Sequence, residues 1–302
     1  MYPEITDVKV LQTNWRKKLE DLPATPDKIP SFFFGHGTPV LEFPASNDYS
    51  RFGEDVTKWA GAEGPLAAFL KDFSPALLKK YQPKGIVVFS AHWETNNECL
   101  EPLPMDYYGF QPELYQLKFK SKGDSALSRR VVELYKEVHT SSDVLSTLVG
   151  PGLDHGVFIP FRFMFGDEFI EIPIVEVSID SSLSPEINWT LGRAVAKLWE
   201  EGILILSGGL TVHNLRDLGS FAPSSAQPAH KVFDQAVLAA VVITDETECK
   251  TAMVNLTKHA GFHASHPRDH FIPLYVAAGV GKGGNVKVIA DIYGGETVAF
   301  GL

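Results

Sequence analysis

A chain of 302 residues, 44% of them hydrophobic and 21% charged, can bury a sizeable core as one large domain or two smaller ones. Its 27 Lys and Arg against 37 Asp and Glu give a net charge of −10. That balance excludes the broad basic face that nucleic acid or an anionic membrane surface demands.

Residues 1–30 are polar, with Arg16, Lys17, Lys18, Glu20 and Asp21 followed by Pro23, Pro26 and Pro30. They are expected to form an arm with one short helix lying on the surface of a domain that spans 31–302. Short apolar runs recur from there: Phe32-Phe33-Phe34, Ile86-Val87-Val88-Phe89, 172–177, 203–206 and 286–289. Runs of four to six residues rich in β-branched and aromatic side chains predict strands buried on both faces. Between them come segments with helical spacing. Leu66, Phe69, Leu70, Phe73, Leu77 and Leu78 share one face, and Pro75 is expected to split that helix. Leu127, Val131, Val132, Leu134 and Tyr135 mark a second helix, capped by Asp124 or Ser125. Ile187, Leu191, Val195 and Leu198 mark a third, opened by Ser184-Pro185-Glu186 as cap, first-turn proline and acidic first turn. Segments 232–242 and 253–256 complete the helical set. Strands alternating with amphipathic helices predict an α/β fold, a single domain with a central mixed, largely parallel sheet flanked by helices.

Two cysteines, Cys99 and Cys249, cannot build a disulfide framework. No apolar run reaches the roughly 18 residues of a membrane span. The first residues, with Glu4 and Asp7, lack the pattern of a signal peptide, and Phe300-Gly301-Leu302 matches no retention or lipidation signal. The expected compartment is the cytoplasm.

The ten histidines carry the chemistry. Strand 32–34 runs into Gly35-His36-Gly37-Thr38-Pro39, strand 86–89 into Ser90-Ala91-His92-Trp93, and strand 203–206 into Ser207-Gly208-Gly209 with His213-Asn214 close behind. Three strands thus each deliver a histidine beyond a C-terminal end, the edge where open α/β sheets bind ligands. Imidazoles meeting there suit a divalent metal. His270 is expected in the first turn of a helix that Pro267 opens and that runs on through Phe271, Leu274, Tyr275 and Ala278. His155, beside Asp154, is expected on a loop ahead of the apolar segment 157–161. A separate zinc clip of His263, His266 and His270 is the weaker arrangement, because it ignores the strand-end histidines. His139 reads as a helix-end residue complementing the dipole, His230 as a solvated helix face, and His259 and His263 equally as packing or surface residues or as ligands. Trp93 reads as core.

Five stretches stand in order along the chain: Gly35-His36-Gly37-Thr38-Pro39, Ser90-Ala91-His92-Trp93, Leu153-Asp154-His155-Gly156, Val212-His213-Asn214-Leu215-Arg216 and His266-Pro267-Arg268-Asp269-His270-Phe271. Together they resemble the class III extradiol ring-cleavage dioxygenases of the LigB superfamily, and within it the 4,5-DOPA extradiol dioxygenase family. The likeness runs from about Ser31 to the C-terminus. It departs at Thr38, where serine is more usual, and in the arm, which the short bacterial members lack. The resemblance implies one divalent metal per chain, non-haem Fe(II) in the active enzyme with Zn(II) often in its place. His36, His92 and His270 match ligand positions, the last being a glutamate in the wider superfamily. His213 matches the catalytic base and in this family also stands as a fourth ligand; His155 would hydrogen-bond bound oxygen or donate a proton. The implied reaction opens a catechol such as DOPA with O2. The rival readings are a zinc-dependent hydrolase using the same histidines to activate water and a non-catalytic metal-binding member of the superfamily.

Overall fold

The computed structural model describes residues 7–24, 28–43, 52–95, 112–138, 153–265, 267–281 and 284–302. In chain order the elements are α1 (Val8–Glu20), β1 (Ser31–Gly35), α2 (Gly53–Ala60), α3 (Pro65–Tyr81), β2 (Gly85–Thr95), β3 (Lys120–Ser121), α4 (Ser125–Val138) and α5 (His155–Phe165). There follow β4 (Glu168–Phe169), β5 (Ile174–Asp180), α6 (Pro185–Val195), β6 (Ile203–Gly209), α7 (Pro228–Val241), α8 (Glu246–Asn255) and α9 (Ala260–Ser265). The last elements are α10 (Arg268–Phe271), α11 (Pro273–Gly281), β7 (Val286–Ala290) and β8 (Thr297–Phe300).

Six strands form the central sheet in the order β5-β2-β6-β1-β8-β7. β5, β2, β6 and β1 are mutually parallel, whereas β8 pairs antiparallel with both β1 and β7. The sheet is therefore mixed and largely parallel, as the alternating pattern predicts. Both faces are covered. Phe33, Val87, Phe89, Val177 and Ile205 face one core, packed with side chains of α4, α6, α7, α8 and α11. Phe32, Phe34, Ile86, Val88 and Leu206 face the other, under α1, α3 and α5. Successive strand residues point to opposite faces, so an unbroken apolar run fills two cores at once. Each fully buried phenylalanine contributes roughly 1.5–3 kcal/mol, and Phe32, Phe33 and Phe34 are all completely enclosed.

The arm helix α1 lies against α3 and contributes Trp15 and Leu19 to the second core. Asp72 of α3 accepts from Trp15 Nε1 at 2.9 Å, from Gln12 Nε2 at 2.9 Å and from Arg16 Nε and Nη2 at 2.8 Å each. Burial works against the Asp72 charge, yet Arg16, Trp15 and Gln12 together hold its carboxyl below the usual range.

Several local expectations are corrected. α3 continues unbroken through Pro75. Pro75 and Lys71, whose carbonyl loses its partner, both lie on the exposed face, where water satisfies that carbonyl while Phe69, Leu70, Phe73 and Leu77 stay anchored in the core. The expected caps hold: Asp124, one of two candidates, caps α4 by accepting from Ala126 and Leu127, and Ser184 caps α6. Pro267 is the residue before α10 rather than its first helical position, and a break at Ile272 separates α10 from α11. β8 has no counterpart among the predicted strands. Cys99, His139 and His266 lie outside the described residues.

Candidate metal centre

β6 lies between β1 and β2, and the three are in register: Gly35 pairs with Gly209, and Ser90 with Gly208. His36 follows β1 directly, its N–H donating to Gly209 O at 3.2 Å. Glycine is required before it, because a Cβ at Gly35 would sit 2.4 Å from Gly295 O. Gly37 then takes φ +75°, a conformation that suits glycine.

His92 does not lie beyond its strand. β2 runs on to Thr95, with a register shift against β5 between Ser90 and Glu94. Such an irregularity re-aims side chains, and the His92 N–H donates to Ser90 Oγ at 3.1 Å. His270 sits in α10, its carbonyl accepting from Leu210 N at 2.9 Å. The chain that leaves β6 is thereby tied to α10.

His155 is not in a loop. It is the first residue of α5, with Asp154 as N-cap accepting from Val157 N at 3.2 Å. The Asp154 N–H in turn donates to Glu176 Oε2 at 3.1 Å. Gly156 permits this approach, since a Cβ there would fall 2.5 Å from His92 Cδ2. His213 is held by its own N–H, which donates to Ser265 O at 2.9 Å, while Asn214 Nδ2 grips Ala264 O at 2.9 Å.

Among the described residues His36, His92 and His270 each bring a ligand nitrogen within 4.8 Å of the others. Two nitrogens on one ion stand at most about 4.2 Å apart, twice the Zn–N distance of ~2.1 Å, so small rotations close the set. His36 Nε2 is buried with no hydrogen-bond partner among the described residues, an orphan that a cation would satisfy. Burial first, and the neighbouring histidines second, push the His36 and His92 imidazoles well below their ordinary pKa. Both are neutral at pH 7, the form in which an imidazole ligates a metal. Asp269 Oδ1 lies 3.1 Å from His270 Nδ1. His270 Nδ1 is buried without a hydrogen-bond partner among the described residues, a second orphan that a cation would satisfy. Burial opposes the Asp269 charge, but contact with His270 holds its carboxyl below the usual range.

The two remaining predicted residues flank this trio. The His155 ring is centred 3.8 Å from that of His92, and the His213 ring lies 3.6 Å from that of His270, nearly parallel at 15°. Five histidines from five chain segments thus meet at one rim. The other described histidines stand apart from it. His263 is exposed and contacts Phe262 by its edge, and His259 accepts from Gly261 N through Nδ1. His230 is buried, not solvated, with Nδ1 3.1 Å from Ser265 Oγ and Nε2 3.4 Å from Asp217 Oδ2. Glu176 and Asp269 escaped the sequence reading. A carboxylate inside the apolar run Ile174-Val175-Glu176-Val177 was the available signal, since such groups are seldom buried without a partner.

Residues 33–299 match the family model described as the catalytic LigB subunit of aromatic ring-opening dioxygenase. The chain belongs to the LigB family. It is an aromatic ring-opening dioxygenase. A Schizosaccharomyces pombe protein named as 4,5-DOPA dioxygenase extradiol-like is 37% identical over 297 residues, 96% of this chain and 97% of that one. The 4,5-DOPA dioxygenase extradiol of Escherichia coli K12 is 31% identical over 88% of this chain and 90% of its own length. That of Beta vulgaris is 28% identical over 90% and 94%. The crystal structure of an uncharacterised E. coli K12 protein superposes with a TM-score of 0.64 at 24% identity, covering 91% of this chain and all of that one, which supports the fold. No helix among the described residues is long and apolar enough to cross a membrane.

Proposed function

We propose that this LigB-family enzyme is a metal-dependent extradiol dioxygenase that opens the ring of a catechol, DOPA being the leading candidate, with O2. The observation that carries the reading is the His36/His92/His270 trio with His213 and His155 on its two sides. His36, His92 and His270 would hold one divalent ion, Fe(II) for this chemistry. Bound iron supplies open positions for the diol and O2 and a path for electrons between them.

The protein's own part is proton management. A catechol must shed protons to bind through both oxygens, and a neutral imidazole at the rim is a suitable base. His213 takes that role. Its place outside the tight trio supports base over permanent ligand, since a fourth protein nitrogen would use a position that the substrates need. His155, opposite it, donates a proton to oxygen as the ring opens beside the two hydroxyls. The substrates are small molecules, and the acidic surface with two cysteines supports a cytoplasmic setting without nucleic-acid partners.

Protein reconstituted anaerobically with Fe(II), mixed with catechols and then exposed to oxygen, tests the reading. Stoichiometric oxygen uptake with a yellow ring-opened product is the expected result. Hydrolytic turnover on Zn(II) without oxygen uptake would overturn it in favour of a zinc hydrolase, which an all-histidine donor set also suits.

A further inference from the structure

Behind the rim, on the side of β6, two carboxyl groups are buried together. Asp234 of α7 and Glu296, just before β8, are 0% and 1% exposed. The hydroxyl of Thr211, two residues past β6, lies 2.7 Å from Asp234 Oδ1 and 2.9 Å from Glu296 Oε2. A hydroxyl owns one hydrogen and can donate to only one of them. For both contacts to be hydrogen bonds, one carboxyl must be protonated and donate to Thr211 Oγ. Asp234 Oδ1 also accepts from Gly294 N at 3.1 Å. The geometry requires one proton on the pair, shared between Asp234 and Glu296. Neither group is paired with a cation among the described residues, and Glu296 Oε1 has no partner among them. Two bare charges in such a place would be far costlier than one charge and one shared proton.

This trio joins the segments that carry the site. Thr211 N donates to Gly294 O at 3.2 Å, doubling the link between the β6 outlet and the 291–296 turn. Two residues along, the same outlet bears His213. Gly295 of the turn lies against Gly35, the residue before His36. We propose that Asp234 and Glu296 are positioning residues for the metal centre: they hold one proton between them across the Thr211 hydroxyl and so keep the supports of His213 and His36 locked together. This rests on the reading of the histidine cluster as the working site.

The titratable groups facing the pair are Asp291 and Tyr293. Burial first, then the charge and the contact of Glu296, push the Asp234 carboxyl well above its ordinary range; burial also pushes Glu296 up, against the contacts with Asp234 and Thr211 that lower it. The Tyr293 hydroxyl, pushed up by burial and then by the pair, stays neutral and donates to Ser220 O at 2.9 Å. Folded protein therefore keeps a proton that unfolded chains lose above about pH 4–5. The latch's stability is full below that range and drains away as pH rises toward the pair's own titration.

Three variants of the metal-loaded protein test this: Glu296→Gln, whose amide donates permanently in place of the shared proton, Glu296→Ala and Thr211→Val. Melting temperature is read from pH 5.5 to 9.5, together with bound metal and the kcat and KM of ring cleavage. For Glu296→Gln, a melting advantage over wild type that widens with rising pH is expected, with kcat within about twofold at pH 7. For Glu296→Ala and Thr211→Val, kcat is expected to fall about tenfold or more while KM and metal content stay within about twofold. A pH-independent difference for Glu296→Gln, or a loss in it as large as in Glu296→Ala, overturns the proposal. The melting comparison needs no turnover, so absence of oxygen uptake in wild type would count against the ring-cleavage reading while the melting arm still decides the latch.

Discussion

The two flanks of the histidine cluster are built in different ways. On one side His92 and His155 stand on regular elements, an irregularity in β2 and the first turn of α5, wedged together at Gly156 and backed by Asp154 and Glu176. On the other side His270 lies in a four-residue helix and His213 on a connecting segment, both held through backbone carbonyls: Leu210 N to His270 O and His213 N to Ser265 O. Each flank pairs one member of the candidate metal trio with one histidine beside it, and they differ in how they hold that pair: the first by packing at Gly156, the second through backbone hydrogen bonds.

Removing ligands should break the comparison most severely. His36→Ala or His92→Ala should abolish metal retention, losing more than the roughly 10–100-fold in affinity that follows loss of a group merely orienting a ligand; elemental analysis after gel filtration checks this. Normal metal content in either variant would refute the site. His213→Ala and His155→Ala should both keep one metal per chain and lower kcat by about 10²–10⁴-fold, the usual worth of a placed acid or base. Metal loss in His213→Ala would instead make it a ligand.

The next prediction sharpens the contrast through proton competition. His36 and His92 are held neutral by burial, so folded protein binds fewer protons than unfolded chains once pH falls below about 6.5. Stability and bound metal should both be present above that value and decline below it, which melting curves and metal titration from pH 8 to 5 would reveal. The smallest effect concerns the wedge. Gly156→Ala places a Cβ against the His92 ring and should cost about 1–3 kcal/mol of stability by denaturant titration, with a modest rise in KM. The arm provides the control: Asp72→Ala should destabilise by a similar amount through the broken Trp15 and Arg16 contacts, with kcat unchanged.

Much of this was legible because it rests on short-range rules. The runs 32–34, 86–89 and 203–206 had to be buried strands, and a histidine after each had to fall near one edge. What escaped depends on contacts between distant segments. Pro75 stays helical because the far face of α3 is anchored. His230 is drawn inward by Ser265 and Asp217, which lie 35 and 13 positions away. β8 carries only four residues, Thr297–Phe300, too few to announce a strand without its neighbours. His155 became helical because Asp154 caps a segment whose hydrophobicity alone does not distinguish helix from strand.

β8 lies between β1 and β7 although it is made after both. Until 297–300 emerge from the ribosome, the outer edge of β1, with its three phenylalanines, offers bare peptide groups to any passing strand. The turn that braces Gly35 arrives in the same final stretch. Nascent chains should therefore be prone to clumping until β8 is made, and metal uptake should follow that step rather than guide the emerging polypeptide.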